Sequence, residues 1–195
     1  MREGLSCPAI LEDWSRAMRS ETRLQHRLFF ALWPQADVAA SLYALSGTLD
    51  AGSCARRIPR ESLHMTLAFL GEVGREKLPA LCELIHTLPA PAFTLGLDRI
   101  GCWPRGGIVW AGASVVSPAL HECVAALWAG LKRLGFAQEK RDFAPHVTLF
   151  RHGNVRPFAL AQPISWPVSA IVLVESVPGK GYHALCRSPK KNGAH

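Results

Sequence analysis

The sequence lacks several features that would assign a protein class at once. It has no Cys-x-x-Cys pair, because its six cysteines lie 20 or more positions apart, and it has no Gly-x-Gly-x-x-Gly element. No apolar run approaches the length of a membrane span, and the N-terminus has no continuous hydrophobic signal region. We therefore expect a cytoplasmic protein without a membrane partner or a dinucleotide cofactor. Its cysteines are expected to be buried thiols rather than disulfides.

Two further motifs are incomplete. His121-Glu-Cys123 lacks the Pro-Cys-x-x-Cys element that a zinc deaminase requires. Gly179-Lys-Gly181 lacks the upstream glycine and the following serine or threonine of a phosphate-binding P-loop. The sequence therefore predicts neither a metal site nor another cofactor.

The composition is that of a folded, basic protein. Its 195 residues are 49% hydrophobic, which suffices for one domain or two closely joined lobes. The formal net charge is +7, and basic clusters precede both motifs described next: Arg56, Arg57 and Arg60, then Lys140 and Arg141. This placement favours a polyanionic partner such as RNA or a nucleotide over the alternative of a generally basic surface.

A short pattern occurs twice, as His64-Met-Thr66-Leu67 and His146-Val-Thr148-Leu149. Each copy is typical of a β-strand, in which His and Thr share one face and the apolar residues share the other. One histidine on a strand is most often structural. Two histidines at matching positions, each with a threonine two residues later, favour acid–base chemistry on a phosphoryl group at a shared cleft.

The surrounding elements repeat as well. Each half has a strand, then an apolar stripe at helical spacing, then a motif strand, and the strand start precedes the histidine by 37 and 38 residues. This predicts an α+β fold of two lobes, built from duplicated strand–helix–strand units whose antiparallel sheets face a central cleft. The predicted elements are strand Arg27–Trp33, helix 36–49 and strand Leu63–Leu70 closed by Gly71, then strand Ile108–Val116, a helix from Ser117-Pro118 to Gly135, and strand His146–Phe150.

Other segments complete the predicted fold. Residues 76–88 are predicted to form a helix with Pro79 in its first turn, and further strands are expected at Phe93–Leu97, Ala170–Glu175 and Tyr182–Arg187. Glycine and prolines predict a loop over 152–168. Residues 1–26 are expected to be an appended, partly mobile segment, and residues 188–195 a basic tail. Phe29 is interpreted as a core residue rather than a base-stacking platform.

Three segments resemble one family. HMTLAFLG at 64–71, HVTLFR at 146–151 and RLFFAL at 27–32 are similar to the 2H phosphoesterases. The most similar branch is the RNA 2′,3′-cyclic phosphodiesterases, also described as LigT-like proteins or 2′-5′ RNA ligases. The resemblance covers 27–187 and implies a bilobal α+β duplication with one motif in each lobe. Phe150 departs from it, since the family often has a smaller aliphatic residue there.

The resemblance also implies an activity. It predicts hydrolysis of 2′,3′-cyclic phosphate ends of RNA or nucleotides to 2′-phosphates, with His64 as proton donor and His146 as proton acceptor. The residues alone do not decide which histidine has which role. Alternatives are ligase-like joining of RNA ends through a 2′-5′ linkage, and an RNA-end-binding module without relevant catalysis. A monomer is expected.

Three further side chains suit the phosphate. The hydroxyls of Thr66 and Thr148 can donate hydrogen bonds to its non-bridging oxygens, and Arg151 can add positive charge in the transition state. Arg151 lies five positions after His146, so in a regular strand it starts on the opposite face. It must therefore use its length at the strand end, or the strand must bend or bulge.

Overall fold

One antiparallel sheet carries most of the chain that this computed structural model describes, which is residues 24–138 and 142–189. Most of the predicted N-terminal segment, the basic pair Lys140 and Arg141, and the end of the predicted basic tail lie outside the described residues. The strands within the described ranges are β1 (Gln25–Leu32), β2 (Arg56–Arg57), β3 (Met65–Gly74), β4 (Phe93–Trp103), β5 (Ile108–Gly112), β6 (His146–Arg151), β7 (Phe158–Val168), β8 (Ile171–Val177) and β9 (Gly181–Arg187).

The strand order reveals the duplication. It runs β7-β4-β5-β6-β3-β1-β8-β9, with β2 also paired to β6. Outward from the centre, β6, β5, β4 and β7 on one side match β3, β1, β8 and β9 on the other. The two halves meet where Met65 pairs with Val147. The predicted α+β fold of two similar lobes is confirmed, and the two lobes join in one open sheet.

Three helices lie within the described residues: α1 (Ala36–Gly47), α2 (Leu78–Thr87) and α3 (Pro118–Arg133). Both α2 and α3 carry proline in the first turn, where the missing N–H has no intrahelical partner to lose. Ser117 occupies the N-cap position of α3 as predicted, although its side chain makes no capping hydrogen bond. Gly135 follows the end of α3 with φ +84°, a left-handed conformation that favours glycine.

The helices cover one face of the sheet. Alternate residues of β1 (Leu28, Phe30 and Leu32) join the apolar stripes of the helices in one core. The apolar residues of both motifs enter this core too, namely Met65, Leu67, Val147 and Leu149. The histidine and threonine of each motif are thereby left for the opposite face. None of the described helices is both long and apolar enough to cross a membrane.

The prediction of a loop over 152–168 is wrong, because Phe158–Val168 is a strand. β7 lies at the edge of the sheet and pairs with β4, so alternate N–H groups of β7 are not needed by a neighbour. Pro167 pairs opposite Thr94, and Pro163 falls in an irregular stretch of the β4–β7 register between Ala159 and Ile164. An edge position with a bulge is where a strand tolerates proline.

Other boundaries shift for local reasons. Gly71 does not close its strand, because β3 continues to Gly74 and Gly71 sits at a register irregularity with φ +72°. β4 is longer than predicted and β5 shorter, while β1 begins before the predicted boundary at Arg27. His26 is thus a buried strand residue, whose Nδ1 lies 2.9 Å from Glu175 Oε1 on β8.

The expectation of buried thiols is wrong for one cysteine pair. A disulfide joins Cys82 on α2 to Cys186 on β9, two residues that are 104 positions apart in the chain. Of the other described cysteines, Cys54 is exposed and Cys102 and Cys123 are partly buried. The bond fastens the edge strand β9 to the helix beneath it.

Candidate active site

The two motif histidines flank the junction of the two lobes. Because Met65 pairs with Val147 in an antiparallel register, continuing that register sets His64 across from Thr148 and Thr66 across from His146. All four side chains and Arg151 line one cavity of about 480 Å³, called the central cleft below. The structure therefore brings together all five site residues predicted from the sequence.

A backbone carbonyl holds each imidazole in the same way. Nδ1 of His64 lies 2.7 Å from the carbonyl oxygen of Ser62, and Nδ1 of His146 lies 2.8 Å from that of Ala144. A carbonyl oxygen only accepts, so Nδ1 is the donor in both bonds. Nε2 is consequently the nitrogen that can take a proton in the neutral form and give one in the charged form. This hydrogen bond also fixes each ring at the cleft.

A β-bulge turns Arg151 toward the central cleft. The β5–β6 register shifts between Val109 and Trp110, whose partners are Phe150 and Thr148, so Leu149 is an extra residue. Leu149 and Phe150 are both buried in the core. Two successive inward residues reverse the alternation, and Arg151 returns to the face of His146 and Thr148. Phe150, the departure from the family pattern, is therefore a core residue.

The other motif strand carries the matching bulge. The β1–β3 register shifts between Phe30 and Ala31, and Leu67 and Ala68 are both buried in the core. The position equivalent to Arg151 is then Phe69, which is 41% exposed and lies under the guanidinium of Arg27 at 5.1 Å. The two halves thus share a backbone device but differ in the side chain that it presents.

Aromatic rings surround His64. The indole of Trp33 stacks on its imidazole with 5.1 Å between centroids and 10° between planes. Phe29 lies at 5.0 Å in a tilted arrangement, and Tyr182 of β9 approaches edge-on at 5.0 Å. Phe29 is buried, as the sequence predicted, but its ring contacts the motif histidine. Sequence reasoning missed Trp33 and Tyr182, although strand alternation places Trp33 on the face of Phe29.

His146 has a different neighbour. Trp103, at the end of β4, approaches its ring edge-on with 4.5 Å between centroids, and Trp103 in turn contacts Trp110. Trp103 and Phe69 also line a second cavity of about 550 Å³, which shares Thr66 and His146 with the central cleft. No sequence signal distinguished Trp103, since its contact with His146 exists only in the folded protein.

Burial dominates the electrostatics of the histidine pair. It lowers the pKa of His64 from 6.5 to about 4; the hydrogen bond to Ser62 opposes this change, and the charges of His146 and Arg151 add to it. Burial also lowers the pKa of His146, opposed by the hydrogen bond to Ala144. Both imidazoles are therefore neutral at pH 7 in the free protein. An anionic phosphate between them would favour the protonated form of either one.

Two of the arginines ahead of His64 serve the fold. Arg57 donates from Nε to Ser46 Oγ at 2.7 Å and from Nη2 to the carbonyl of Tyr43, and it lies over the Tyr43 ring. Arg60 donates to the carbonyl of Ala36 at 2.6 Å. Both tie the segment before β3 to α1. Within residues 24–138 and 142–189, no group of three or more His, Cys, Asp or Glu side chains could hold a metal ion.

Comparison with known proteins identifies the family. The sequence model described as LigT like Phosphoesterase matches residues 32–110. The RNA 2′,3′-cyclic phosphodiesterase of Escherichia coli K12 is 38% identical over 128 residues, which are 66% of this chain and 73% of that protein. The chain belongs to the LigT-like phosphoesterase family. The resemblance inferred from the two motifs is confirmed.

Further relatives of the LigT-like family agree. An Archaeoglobus fulgidus protein with the same curated name is 31% identical over 134 residues, 67% of this chain and 75% of that one. The crystal structure of E. coli LigT with 3′-AMP has a TM-score of 0.76 and 33% identity, covering 84% of this chain and 97% of that chain. A crystal structure from Thermus thermophilus has a TM-score of 0.71 and 28% identity, covering 83% and 96%.

Proposed function

We propose that this LigT-like protein is an RNA 2′,3′-cyclic phosphodiesterase, which hydrolyses 2′,3′-cyclic phosphate ends of RNA or nucleotides to 2′-phosphates. The observation that carries the proposal is the matched pair of imidazoles at one cleft, each held through Nδ1 and free to exchange a proton through Nε2. Relatives from E. coli and A. fulgidus carry this activity in their names.

The proposed reaction needs one proton removed and one supplied. Nε2 of His146 takes a proton from water as the water oxygen attacks phosphorus. The bond from phosphorus to the ribose 3′-oxygen breaks, and protonated His64 donates its Nε2 proton to that oxygen. The lowered pKa of His64 supports this assignment, because burial makes its imidazolium a stronger acid than that of an ordinary histidine once a bound phosphate has favoured protonation.

The remaining site residues are proposed to bind the phosphate. The hydroxyls of Thr66 and Thr148, across from the two histidines, donate to its non-bridging oxygens. Arg151, which the bulge in β6 turns into the central cleft, offers a planar fork of donors to two oxygens at once. These contacts strengthen as negative charge develops in the transition state. Both proton transfers and all phosphate contacts then come from side chains, without a metal or cofactor.

The test is turnover of purified protein on a panel of nucleoside 2′,3′-cyclic phosphates and oligonucleotides with cyclic ends. We expect many turnovers and a 2′-phosphate product, identified by its phosphorus NMR signal. Saturation at one equivalent would instead indicate an RNA-end-binding module. Joined strands formed from an added 5′-hydroxyl RNA would indicate the ligase-like alternative.

Because one chain supplies both histidines, we also propose a monomer, acting on RNA in the cytoplasm; gel filtration and cell fractionation test these two statements.

A further inference from the structure

Arg56 has a place at the central cleft that the two neighbouring arginines do not share. In β2, Arg56 pairs with Arg151 of β6, and Arg57 pairs with Phe150. Residues directly opposite in an antiparallel pair project to the same face. Phe150 points into the core and Arg57 turns with it toward α1, so Arg56 lies beside Arg151 on the cleft face.

The backbone fixes this placement. The N–H of Ile58 donates to the carbonyl oxygen of Leu149 at 2.8 Å, which extends the pairing beyond β2. Arg57 anchors the same segment to Ser46 and Tyr43 of α1. The backbone pairing therefore fixes the face of the sheet on which Arg56 lies, although its side chain is exposed.

The adjacent positive charges of Arg56 and Arg151 favour the binding of an anion. Like charges directly opposite on neighbouring strands repel each other and destabilise the pairing. Among the residues that the structure describes, neither guanidinium has an ion pair or a side-chain hydrogen bond. Arg151 lines the central cleft, whereas Arg56 does not line it and stands next to Arg151 at the rim. A second anion just outside the cleft would satisfy Arg56.

We propose that Arg56 binds the internucleotide phosphate on the 5′ side of the terminal nucleotide in an RNA strand with a 2′,3′-cyclic end. This inference rests on the proposed function and specifies its substrate class. In such a strand, the phosphate nearest to the reacting one lies across a single ribose. A free nucleoside cyclic phosphate has no such group. Arg56 thus makes the site selective for RNA ends over mononucleotides.

The test compares three substrates with one reacting nucleotide. The first is a nucleoside 2′,3′-cyclic phosphate, the second a dinucleotide ending in that group, and the third the same dinucleotide with a neutral methylphosphonate linkage. Arg56→Ala should lower kcat/KM about tenfold on the charged dinucleotide and leave the other two unchanged. The slope of log kcat/KM against log salt for the charged dinucleotide should become shallower by about 0.7.

Arg133→Ala is the matched control, since it removes the same charge from an exposed position at the end of α3. It should leave kcat/KM unchanged on all three substrates. Arg56→Gln keeps most of the side-chain length and should repeat the Arg56→Ala result if the charge matters. Thermal unfolding of each variant verifies that it is folded.

Two results would overturn the inference: an equal loss on all three substrates, or no loss on the charged dinucleotide. The Kd of the dinucleotide product with a 2′-phosphate reports the same contact without turnover. We expect the wild-type protein to bind that product about tenfold better than its methylphosphonate form, and the Arg56→Ala variant to lose this preference. The inference then holds even if no substrate is hydrolysed. The absence of hydrolysis would then overturn the proposed function alone.

Discussion

The imidazole of His64 lies flat against the indole of Trp33, with 5.1 Å between ring centroids and 10° between planes. The counterpart histidine has no equivalent stack among the described residues, because Trp103 meets the ring of His146 edge-on. Rings that cover an imidazole exclude water and disfavour its charged form. Two motifs with the same His-x-Thr-Leu pattern thus place their histidines in unequal surroundings, which suits unequal roles in proton transfer.

Replacing Trp33 should therefore raise the pKa of His64. In Trp33→Leu, one face of the ring gains solvent, and the pKa should move from about 4 toward the ordinary 6.5. NMR titration of the imidazole Cε1–H signal measures it. Trp103→Leu is the matched control, which should change the titration of His146 directly and that of His64 only through the weaker effect of the His146 charge. An unchanged pKa in Trp33→Leu would show that Trp33 does not cause the burial effect.

The pH profile of kcat/KM should be bell-shaped with its maximum on the acidic side of 6.5. The reaction needs one proton on the histidine pair, and both pKa values are lowered, so the singly protonated free enzyme is most populated below 6.5. Arg151→Gln removes a charge that lowers the pKa of His64 and should move the acidic limb to higher pH. A rate that rises steadily into the alkaline range would instead indicate hydroxide attack without an acid.

Loss of either motif histidine should nearly abolish turnover. His64→Ala and His146→Ala should each lower kcat by about 10² to 10⁴-fold, the contribution of one general acid or base. His121→Ala, at an exposed position on α3, is the control and should retain full activity. Steady-state assays on a nucleoside cyclic phosphate measure the effect. A folded variant of His64 or His146 with near-normal turnover would contradict the two-histidine mechanism.

Arg151 should not be replaceable by lysine. A lysine keeps the charge but cannot offer two parallel donors to a phosphate, so Arg151→Lys should lose about tenfold in kcat/KM, or about 1.4 kcal/mol. Arg151→Ala should lose more. The same exchange at Arg133 controls for the general effect of arginine on the fold. A loss below about twofold for Arg151→Lys would remove this residue from the site.

Activity should not depend on a divalent cation. Prolonged treatment with a strong chelator followed by gel filtration should leave kcat unchanged, because side chains supply both proton transfers. The control is the same enzyme carried through gel filtration without chelator. A rate that collapses and returns only with added metal would favour metal-assisted hydrolysis instead.

Local patterns predicted much of this molecule. The repeated His-x-Thr and the arginine that ends the second motif strand identified five side chains that line one cavity, and helical spacing with Pro79 and Pro118 located α2 and α3. These signals depend on residues close together in the chain. Strand alternation also predicted that Arg151 can enter the site only through a bend or bulge of the strand or by the length of its side chain. The register of β5 and β6 shows the bulge.

The errors arose where distant residues decide the structure. The prolines of β7 are tolerated because that strand lies at the sheet edge, and no local pattern in 152–168 states this. Cys82 and Cys186 become neighbours only when β9 packs on α2. Tyr182 reaches His64 for the same reason, since both residues must first join strands far apart in sequence.

The strand order determines when each lobe can form while the chain is being synthesised. β4 to β7 come from one continuous stretch, residues 93–168, whereas the other lobe joins β1 and β3 to strands β8 and β9 from the opposite end. His26 and Glu175, which meet across β1 and β8, are 149 residues apart. During synthesis from the N-terminus, β1 must wait for β8, and such distant pairings form late. A chain stopped before Ile171 carries both motifs but leaves β1 as an unprotected edge and His64 without Tyr182. The surroundings of His64 are therefore complete only when β8 and β9 have joined the sheet.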